Sequence, residues 1–488
     1  MSSRPVNVRP GHRALALLVL VLSMLAVQCA KNPVTGEREF MLLSESQEIE
    51  LGRESDQAIV AQYGLVDDPE LAAYVEGIGQ QMVPVSHRPD LAFTFRLLDD
   101  PIVNAFALPG GYVYITRGIL AYLGDEAALA GVMGHEIGHV TARHGAQRYT
   151  EQQLFGLGLG LGSALSETFA RYSGLAGTAA QLLLLKYSRD DERQADRLGV
   201  EYATKIGYDT DEMAGFFHTL DALTAAAGGS GLPGWASTHP DPGERYEKVL
   251  ALTSDWQSRV GRAEYRDNRA TFLRHIDGIV FGQNPRQGYV DGGSFLHPDL
   301  EFRFPVPENW QLINTPTQVQ MASPEGEAAI LFSLDPEHAS PQAAADAFIR
   351  STEAREVNRR ALTIGGYEAV RLVSVIPQQQ GELAVRSTWI RKDANLYVFH
   401  GLGNQPAVSD QVADGFRRLT DPAALAIQPV VVQVVEAPQS GRFADVVADY
   451  PIPEGAGLDM AGLALLNGFA ADDRVERGTL IKTLGRRR

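Results

Sequence analysis

The stretch GHEIGH at residues 134–139 decides how the first half of the chain folds. Two histidines four residues apart share one face of a helix, so His135 and His139 can direct their imidazole nitrogens at one ion. Glu136 is displaced from them by one residue, where its carboxylate can reach a water molecule bound to that ion. The pattern predicts a helix that carries a zinc site of the kind found in peptidases.

The residues around this stretch favour a buried helix. The helical pattern runs from 125 to 144 with Gly145 as the expected stop, and its apolar members include Leu129, Val132 and Met133. Chance would give the two-histidine pattern in only about one or two chains of this length in a hundred, which favours a metal site. The alternative is a pair of core histidines that find partners within the protein.

A second helix supplies the next candidates. It is expected to begin after Ser188 as its cap and to stop at Gly207. Glu192 and Asp196 share a face of this helix, and a catalytic zinc needs a third protein ligand. Glu192 is the candidate ligand, and Asp196 would accept a hydrogen bond from a ligating histidine. The alternative is a solvated acidic helix start, but the histidine pair favours the ligand.

Five segments occur in one known family in the same order. They are NPVTG at 32–36, NAFA at 104–107 with PGG at 109–111, the GHEIGH stretch, SRDDERQAD at 188–196, and HP at 239–240 with Arg245. Through them, residues 30–255 resemble the HtpX-like and CAAX-prenyl-protease-like family of gluzincin metallopeptidases, and within it the periplasmic BepA-like branch of outer-membrane protein quality control.

The resemblance implies roles for further residues. It implies Glu192 as the third zinc ligand, with one zinc per chain. His239 matches a histidine that can occupy the fourth metal position and keep the enzyme inactive. Arg245 matches a residue that faces the active site, where a guanidinium stabilises an oxyanion. Asn104 and Ala105 would begin an edge strand that holds an extended substrate by strand addition, although Asn104 could also be an ordinary strand-end residue.

Length and charge limit the remaining possibilities. A chain of 488 residues indicates two or three domains, and a net charge of -17 argues against nucleic acid as a partner. The fold class expected is α+β, with a mainly helical zincin-type peptidase domain that contains a small sheet. The expected divisions are a signal peptide at 1–28, the peptidase domain at 29–260, a linker at 261–293, an α+β domain at 294–425 and a LysM-like unit at 426–488.

The N-terminus has the character of an export signal. A basic start precedes an uncharged apolar run from 14 to 27, which is too short to span a membrane. Cys29 is the only cysteine and follows this run, so we expect it to carry a lipid. Gln28 departs from the small residue that bacterial lipoprotein signals place before the cysteine. The alternative is an incidental cysteine near an ordinary cleavage site.

The second half of the chain departs from the family. Strands are expected at 300–304, 328–334, 382–391 and 395–401, and helices after Ser340 and around 411–418. The family instead continues into helical tetratricopeptide repeats. The stretch FRFPVPENW at 302–310 resembles the PsbP/Mog1-like fold, and LLNG at 465–468 with GTLIK at 478–482 resembles a degenerate LysM module, which implies a possible peptidoglycan partner.

A Gly-rich apolar stretch at 154–185 is expected to form a pair of packed helices. A lid over the cleft or a membrane-contacting loop are the alternatives, and Glu167 and Arg171 disfavour a membrane span.

Together these features predict a zinc endopeptidase of the bacterial envelope. It would lie in the periplasm, anchored to the outer membrane, and cleave misfolded or stalled envelope proteins. Two other hypotheses remain open. One is a chaperone or assembly factor that binds client chains and rarely cuts them, and the other is a wall-associated binding protein dominated by its downstream domains.

Overall fold

The computed structural model describes residues 29–159, 182, 186–226, 235, 239, 242–378 and 381–487. The expected signal peptide and most of the expected helix pair at 154–185 lie outside these residues. The described chain mixes helix and sheet, with a helical first part followed by a sheet-rich part and a small C-terminal unit. The expected α+β class is therefore confirmed.

The first part is mainly helical and contains a small sheet. Its helices are α1 (Glu45–Tyr63), α2 (Pro69–Met82), α3 (Arg117–Tyr122), α4 (Glu126–Thr141), α5 (His144–Leu159), α6 (Arg189–Lys205), α7 (Asp211–Ala226), α8 (Pro242–Val260) and α9 (Arg269–Ile276). Its strands are β1 (Cys29–Lys31), β2 (Arg38–Phe40), β3 (Thr94–Leu98), β4 (Ala105–Leu108) and β5 (Tyr112–Thr116).

The three-stranded sheet of this part has β4 at one edge. Strand β5 lies in the middle, parallel to β3 and antiparallel to β4. Gly110 and Gly111 connect β4 to β5 with φ values of 87° and 98°, a region that glycine adopts without a steric cost. Among the described residues, one side of β4 therefore has no partner strand in this sheet.

Helix α4 begins where expected but ends early. The Asp125 carboxylate caps it by accepting the Ala128 N–H at 2.8 Å, and the helix ends at Thr141 rather than before Gly145. Arg143 breaks it with a φ of 60°. The Arg143 side chain donates to the buried carboxylate of Glu48 at 2.9 Å, and this long-range ion pair holds the left-handed residue.

Small residues let α4 and α6 cross closely. A Cβ atom on Gly199 would lie 2.7 Å from the backbone nitrogen of His135, and one on Gly134 would lie 2.9 Å from the carbonyl oxygen of Gly199. Gly138 faces the Ala195 carbonyl oxygen at 3.1 Å in the same way. Because the two backbones touch, side chains on α6 can reach the histidines of α4.

The sheet-rich part follows. Its elements are β6 (Tyr289–Asp291), β7 (Ser294–His297), β8 (Phe302–Pro305), β9 (Gln311–Asn314), β10 (Gln318–Ala322), β11 (Ala328–Leu334), α10 (Pro341–Thr352), β12 (Arg355–Ile364), β13 (Tyr367–Gln378), β14 (Gly381–Lys392), β15 (Asn395–Gly403), α11 (Pro406–Asp414), β16 (Arg417–Arg418) and α12 (Pro422–Ala426). Seven strands form an antiparallel sheet in the order β12-β13-β14-β15-β11-β10-β9.

Most elements expected here are present, with one shift. The expected strand at 328–334 has the bounds of β11, and the helix after Ser340 is capped by that serine. The helix expected around 411–418 is displaced towards the N-terminus, because α11 starts at Pro406 and the chain at 417–418 pairs with β8. Pro406 fits the first turn of a helix, where no N–H is needed.

The C-terminal unit packs against the first part. Its elements are β17 (Val430–Glu436), β18 (Gly441–Arg442), α13 (Phe443–Val446), α14 (Met460–Leu466), β19 (Arg474–Val475) and β20 (Leu480–Arg486), and β17 pairs antiparallel with β20. Val432 and Phe443 belong to the same buried apolar cluster as Leu129 of α4. Phe272 of α9, within the stretch expected as a linker, joins this cluster as well.

A buried lysine joins the C-terminal unit to the peptide that precedes α4. Lys482 Nζ donates to the carbonyl oxygens of Ala121 at 2.7 Å and Leu123 at 2.8 Å. Arg269 of α9 donates to Gly124 at 2.7 Å and to Leu480 at 3.2 Å. Both side chains therefore bridge the two parts of the chain. The division at 260, 293 and 425 stays a prediction. Within the described residues, no helix is both long and apolar enough to cross a membrane.

Burial and the nearby charge of Glu212 raise the pKa of Asp125 to about 8. The unfolded carboxyl ionises near pH 4, so the folded chain binds the extra proton between about pH 4 and 8 and loses stability as pH rises through that window. Asp125→Asn still caps α4 and should lack this loss. Urea unfolding at several pH values between about 5 and 8 should therefore show that the free energy of unfolding of the variant rises relative to that of the wild type as pH increases.

The matched control is Asp68→Asn, which changes the exposed cap of α2 in the same way. The difference in the free energy of unfolding between this control and the wild type should stay constant across this pH range. A constant free-energy difference between Asp125→Asn and the wild type would contradict the expectation.

Candidate metal centre

Two histidines of α4 point their Nε2 atoms at one place. These nitrogens, on His135 and His139, lie 3.0 Å apart, and both side chains are buried. They are one turn apart on the helix, as the sequence predicts. Nδ1 of His135 faces Asp196 Oδ1 at 3.0 Å, and Nδ1 of His139 faces Nδ1 of His144 at 3.0 Å. The outer nitrogens therefore have partners, which leaves the Nε2 atoms facing each other.

The α6 carboxylate expected as the third ligand lies beside them. Glu192 Oε2 is 3.6 Å from His135 Nε2, and Glu192 Oε1 is 3.5 Å from His139 Nε2. Glu192 is 2 % exposed, so water does not solvate this charge. The close crossing of α4 and α6 brings it there.

His239 completes a set of four donors. Its Nδ1 lies 3.3 Å from His135 Nε2 and 2.9 Å from Glu192 Oε1. One donor atom from each of His135, His139, Glu192 and His239 lies within 4.8 Å of the others, and all four residues are buried. The residue that the resemblance placed at a fourth metal position therefore does lie with the other three.

These distances fit a zinc ion. Zinc–nitrogen bonds of about 2.1 Å in a tetrahedron place neighbouring donors about 3.4 Å apart. Separations among the donors of His135, His139 and Glu192, and from Nδ1 of His239 to the donors of His135 and Glu192, run from 2.9 to 3.6 Å and lie around that value. Imidazole lone pairs facing one another at 3.0 Å repel unless a cation or a proton lies between them. Burial lowers the pKa of His139 well below its usual value, which keeps that imidazole neutral as a ligand must be.

Asp196 and Arg245 form a buried ion pair behind the ligands. Arg245 Nε donates to Asp196 Oδ2 at 2.8 Å, and Arg245 Nη1 lies 3.1 Å from Glu192 Oε2. Burial alone would raise the pKa of Asp196, but the charge of Arg245 and the hydrogen bond with His135 outweigh it and lower the pKa to about 2. Asp196 is therefore held as a carboxylate next to Nδ1 of His135, the position that the sequence prediction gave it.

Glu136 lies beside the four donors without joining them. Its Oε1 accepts the indole N–H of Trp235 at 3.2 Å and lies 3.5 Å from Nε2 of His239. Its Oε2 is buried and has no hydrogen-bond partner among the described residues. A buried carboxylate with a spare oxygen suits proton transfer.

The expected substrate strand lies at the sheet edge. Ala105 begins β4 and is buried, and Asn104 precedes it. The Asn104 carbonyl oxygen accepts the Thr116 N–H at 3.1 Å, while its side-chain Oδ1 is buried without a partner in the described part of the chain. Such an orphan acceptor next to an edge strand suits an incoming peptide N–H.

Several residues of the site were not predicted from the sequence. The ring of Tyr187 stacks on His139 with centroids 3.9 Å apart, and His144 Nε2 lies 2.8 Å from Gln194 Oε1. Trp235 meets Glu136 across 99 positions of sequence. His144 lies five residues after His139 and could have been noticed, whereas nothing in the local pattern marks Tyr187 or Trp235.

The site and the helices around it define the class of protein. Two histidines and a glutamate on one helix, a glutamate from a second helix and an adjacent edge strand are the parts of a zinc metallopeptidase. Within that class, residues 69–253 match Peptidase family M48. Residues 69–253 are therefore an M48 domain, and the recognition of this metallopeptidase family from sequence is confirmed for that region.

Curated relatives share this region. The chain is similar to the beta-barrel assembly-enhancing protease of Escherichia coli, 31% identical over 222 residues, which cover 44% of this chain and 45% of that protein. The protein of the same name in Yersinia pestis is 32% identical over the same shares. Mitochondrial metalloendopeptidase OMA1 of Schizosaccharomyces pombe is 28% identical, over 44% of this chain and 64% of that protein. The chain thus spans less than half the length of these bacterial relatives.

Solved structures resemble the chain only weakly. Cyanobacterial PsbP from Synechocystis sp. PCC 6803 is 11% identical and covers 27% of this chain and 98% of its own, with a TM-score of 0.24. LpqN of Mycobacterium tuberculosis is 13% identical and covers 24% of this chain and 83% of its own, with a TM-score of 0.20. The PsbP/Mog1-like and LysM-like assignments stay predictions.

Asp196→Asn should weaken metal binding without removing a ligand. The amide cannot carry the charge that orients His135 and pairs with Arg245, and loss of such an outer partner raises the dissociation constant about 10- to 100-fold. Zinc affinity is measured by competition with a chromophoric chelator. Asp190→Asn, an exposed change on the same helix, is the control and should leave the constant unchanged. Equal affinities for both variants would show that Asp196 does not orient the ligand.

Proposed function

We propose that the chain is a zinc-dependent endopeptidase of the bacterial cell envelope that cleaves unfolded or misassembled envelope proteins. The observation that carries this proposal is the buried convergence of His135, His139 and Glu192 next to the free carboxylate oxygen of Glu136. The relatives named as beta-barrel assembly-enhancing proteases support the substrate class.

In this proposal His135, His139 and Glu192 hold one zinc ion per chain. Zinc, when bound, polarises the scissile carbonyl and lowers the pKa of an attacking water towards about 7. Asp196 fixes the ring of His135 through the 3.0 Å contact with its Nδ1. Arg245 neutralises Asp196 and Glu192, because its guanidinium lies between both carboxylates. Stabilisation of an oxyanion by Arg245 remains the expectation drawn from the family.

Glu136 acts as the proton carrier. Its Oε2 accepts the proton of the attacking water, and the same carboxyl group then delivers that proton to the nitrogen of the leaving amine. The surrounding apolar helix excludes bulk water, which keeps this proton at Glu136 between the two steps.

The open edge of β4 binds the substrate backbone. An extended peptide adds to a free strand edge through main-chain hydrogen bonds, and this selects unfolded chains over folded surfaces. The orphan Oδ1 of Asn104 supplies one further acceptor for a substrate N–H. Asn104 and Ala105 are therefore the first residues of the proposed substrate strand.

His239 closes the site in the resting state. A catalytic zinc keeps one position open, and Nδ1 of His239 occupies the region where the fourth position falls. Cleavage then requires His239 to leave. This closed arrangement also supports the second candidate function, a chaperone or assembly factor that binds clients and cuts them rarely.

The location belongs to the same proposal. Residues 1–28 would direct export, and a lipid on Cys29 would anchor the chain to the outer membrane from the periplasm. The possible peptidoglycan contact of the unit at 426–488 rests on its resemblance to LysM modules.

Glu136→Gln tests the peptidase mechanism. The amide cannot accept the water proton, so cleavage of a reduced, unfolded protein should fall about 10²- to 10⁴-fold. Zinc content should stay at one per chain because Glu136 is not among the converging donors. Initial cleavage rates and metal content are measured on the same preparations, with the exposed Glu54→Gln as the control. Equal cleavage by the wild type and Glu136→Gln would exclude this mechanism.

His239→Ala tests the gate. Removal of a side chain that blocks the fourth position should raise the cleavage rate at least about tenfold, because the closed form no longer competes with the open one. The rate on the same unfolded protein is compared with that of His218→Ala, whose histidine is exposed on α7. A clear fall in rate with zinc retained would mean that His239 assists the chemistry.

A further inference from the structure

His144 lies behind the ligand His139, on the side opposite the Nε2 atom of that ligand. It is the first residue of α5 and is 1 % exposed. Its Nδ1 lies 3.0 Å from Nδ1 of His139, and the two rings meet at 73° with centroids 5.0 Å apart. Two imidazole nitrogens at this distance share one hydrogen, so one of them donates and the other accepts.

The other nitrogen of His144 faces two acceptors. Its Nε2 lies 2.8 Å from Gln194 Oε1 and 3.8 Å from Asp191 Oδ1. The Asp191 carboxylate is anchored, because its Oδ2 accepts the Ser188 N–H and Nε of Arg148, each at 2.9 Å. An amide oxygen and a carboxylate on this side place the hydrogen of the ring on Nε2. A buried neutral imidazole carries one hydrogen, so Nδ1 of His144 is an acceptor.

This order decides which nitrogen of His139 carries its hydrogen. Nδ1 of His139 donates to His144, which leaves Nε2 with a free lone pair. That lone pair faces the other donors, 3.0 Å from His135 Nε2 and 3.5 Å from Glu192 Oε1. An imidazole without a partner can carry its hydrogen on either nitrogen, and a hydrogen on Nε2 would point at the metal position. The partner on Nδ1 therefore decides whether His139 can be a ligand.

Ring packing around His139 does not make this choice. Tyr187 stacks on the His139 ring with centroids 3.9 Å apart and an interplanar angle of 27°. Such stacking restrains the plane of the ring, but the same plane is compatible with a hydrogen on either nitrogen. Among the contacts of the described residues, the one with Nδ1 of His144 is the contact that distinguishes the two forms.

The two α4 histidines are oriented by different kinds of group. Asp196 Oδ1 lies 3.0 Å from Nδ1 of His135, and its charge is paired with Arg245. His139 has a neutral imidazole in the corresponding place. The surrounding interior already holds several buried carboxylates, and an uncharged acceptor orients the second ligand without a further charge to compensate.

We propose that His144 is a positioning residue that keeps His139 in the form that binds the metal, and that Gln194 holds His144 in turn. The hydrogen-bond chain runs from His139 Nδ1–H to His144 Nδ1, and from His144 Nε2–H to Gln194 Oε1. It links α4, α5 and α6 behind the metal position. This inference rests on the proposed zinc peptidase function and adds the group that makes His139 a ligand.

Two substitutions at His144 separate hydrogen bonding from packing. His144→Leu fills most of the space but has no acceptor, so the dissociation constant for zinc should rise about 10- to 100-fold. His144→Asn is smaller, yet its Oδ1 can accept the Nδ1–H, so the constant should stay within about threefold of the wild-type value. A packing role predicts the opposite order, because Leu preserves more volume than Asn. The constants are measured on the full chain by competition with a chromophoric chelator.

Two further variants complete the series. His218→Leu makes the same change at an exposed histidine of α7 and should leave the constant unchanged. Gln194→Met keeps the length of the side chain and removes the acceptor of the second hydrogen bond. It should raise the constant only about 3- to 10-fold, because Asp191 Oδ1 still faces Nε2 of His144. Urea unfolding of each zinc-free chain shows whether the variant is folded.

Nuclear magnetic resonance detects the hydrogen bond itself. A hydrogen bond between two nitrogens transmits a scalar coupling, so in the zinc-loaded wild type with ¹⁵N-labelled histidine the proton on Nδ1 of His139 should couple to Nδ1 of His144. The coupling should persist in Asp196→Asn, which changes only the partner of His135. In His144→Asn the coupling disappears, while the His139 proton still exchanges slowly with water because Oδ1 accepts it.

Two results would overturn the inference. One is equal zinc affinity of His144→Leu and the wild type, and the other is the absence of the coupling between the two Nδ1 atoms in the zinc-loaded wild type. If His144→Leu does not fold, Gln194→Met and the coupling decide. Either result leaves the peptidase proposal intact if the wild type binds zinc and Glu136→Gln abolishes cleavage.

The peptidase proposal fails separately. A wild type that binds zinc and shows the coupling, but cleaves no unfolded protein, would contradict the peptidase proposal and leave the role of His144 in place. A folded wild type without affinity for zinc would overturn both.

Discussion

The close crossing of α4 and α6 is the constraint on which the site depends. Gly199 lies against the backbone of His135, and any Cβ atom there would be 2.7 Å from its nitrogen. Only this contact brings Glu192 within 3.6 Å of the α4 histidines and Asp196 within 3.0 Å of one of them. A larger residue would separate the helices and move both carboxylates away from the histidines. The site therefore requires this close packing.

The crossing also concentrates charge in a dry interior. Glu136, Glu192 and Asp196 are all buried around the histidines of α4. Buried carboxylates are costly unless they are paired. Arg245 pairs with two of them. A divalent cation held by the four donors would offset the remaining charge. Binding of that cation would therefore stabilise this part of the fold.

Distant segments contact both ends of α4. Trp235 contacts Glu136 near one end, while Lys482 of the C-terminal unit binds the carbonyl groups that precede the start of the helix. The M48 region consequently shares one apolar core with residues near the end of the chain. The C-terminal unit is therefore packed against the M48 region.

The sequence by itself determined the helix of His135 and Glu136, its partner helix from Ser188, and the pairing of Glu192 with the histidines, because these depend on local periodicity, caps and the ligand needs of zinc. It also indicated His239 through resemblance. The early end of α4 and the contact of Trp235 with Glu136 were decided by the tertiary structure. Both depend on partners far away in the chain, and local spacing carries no information about which distant residues will meet.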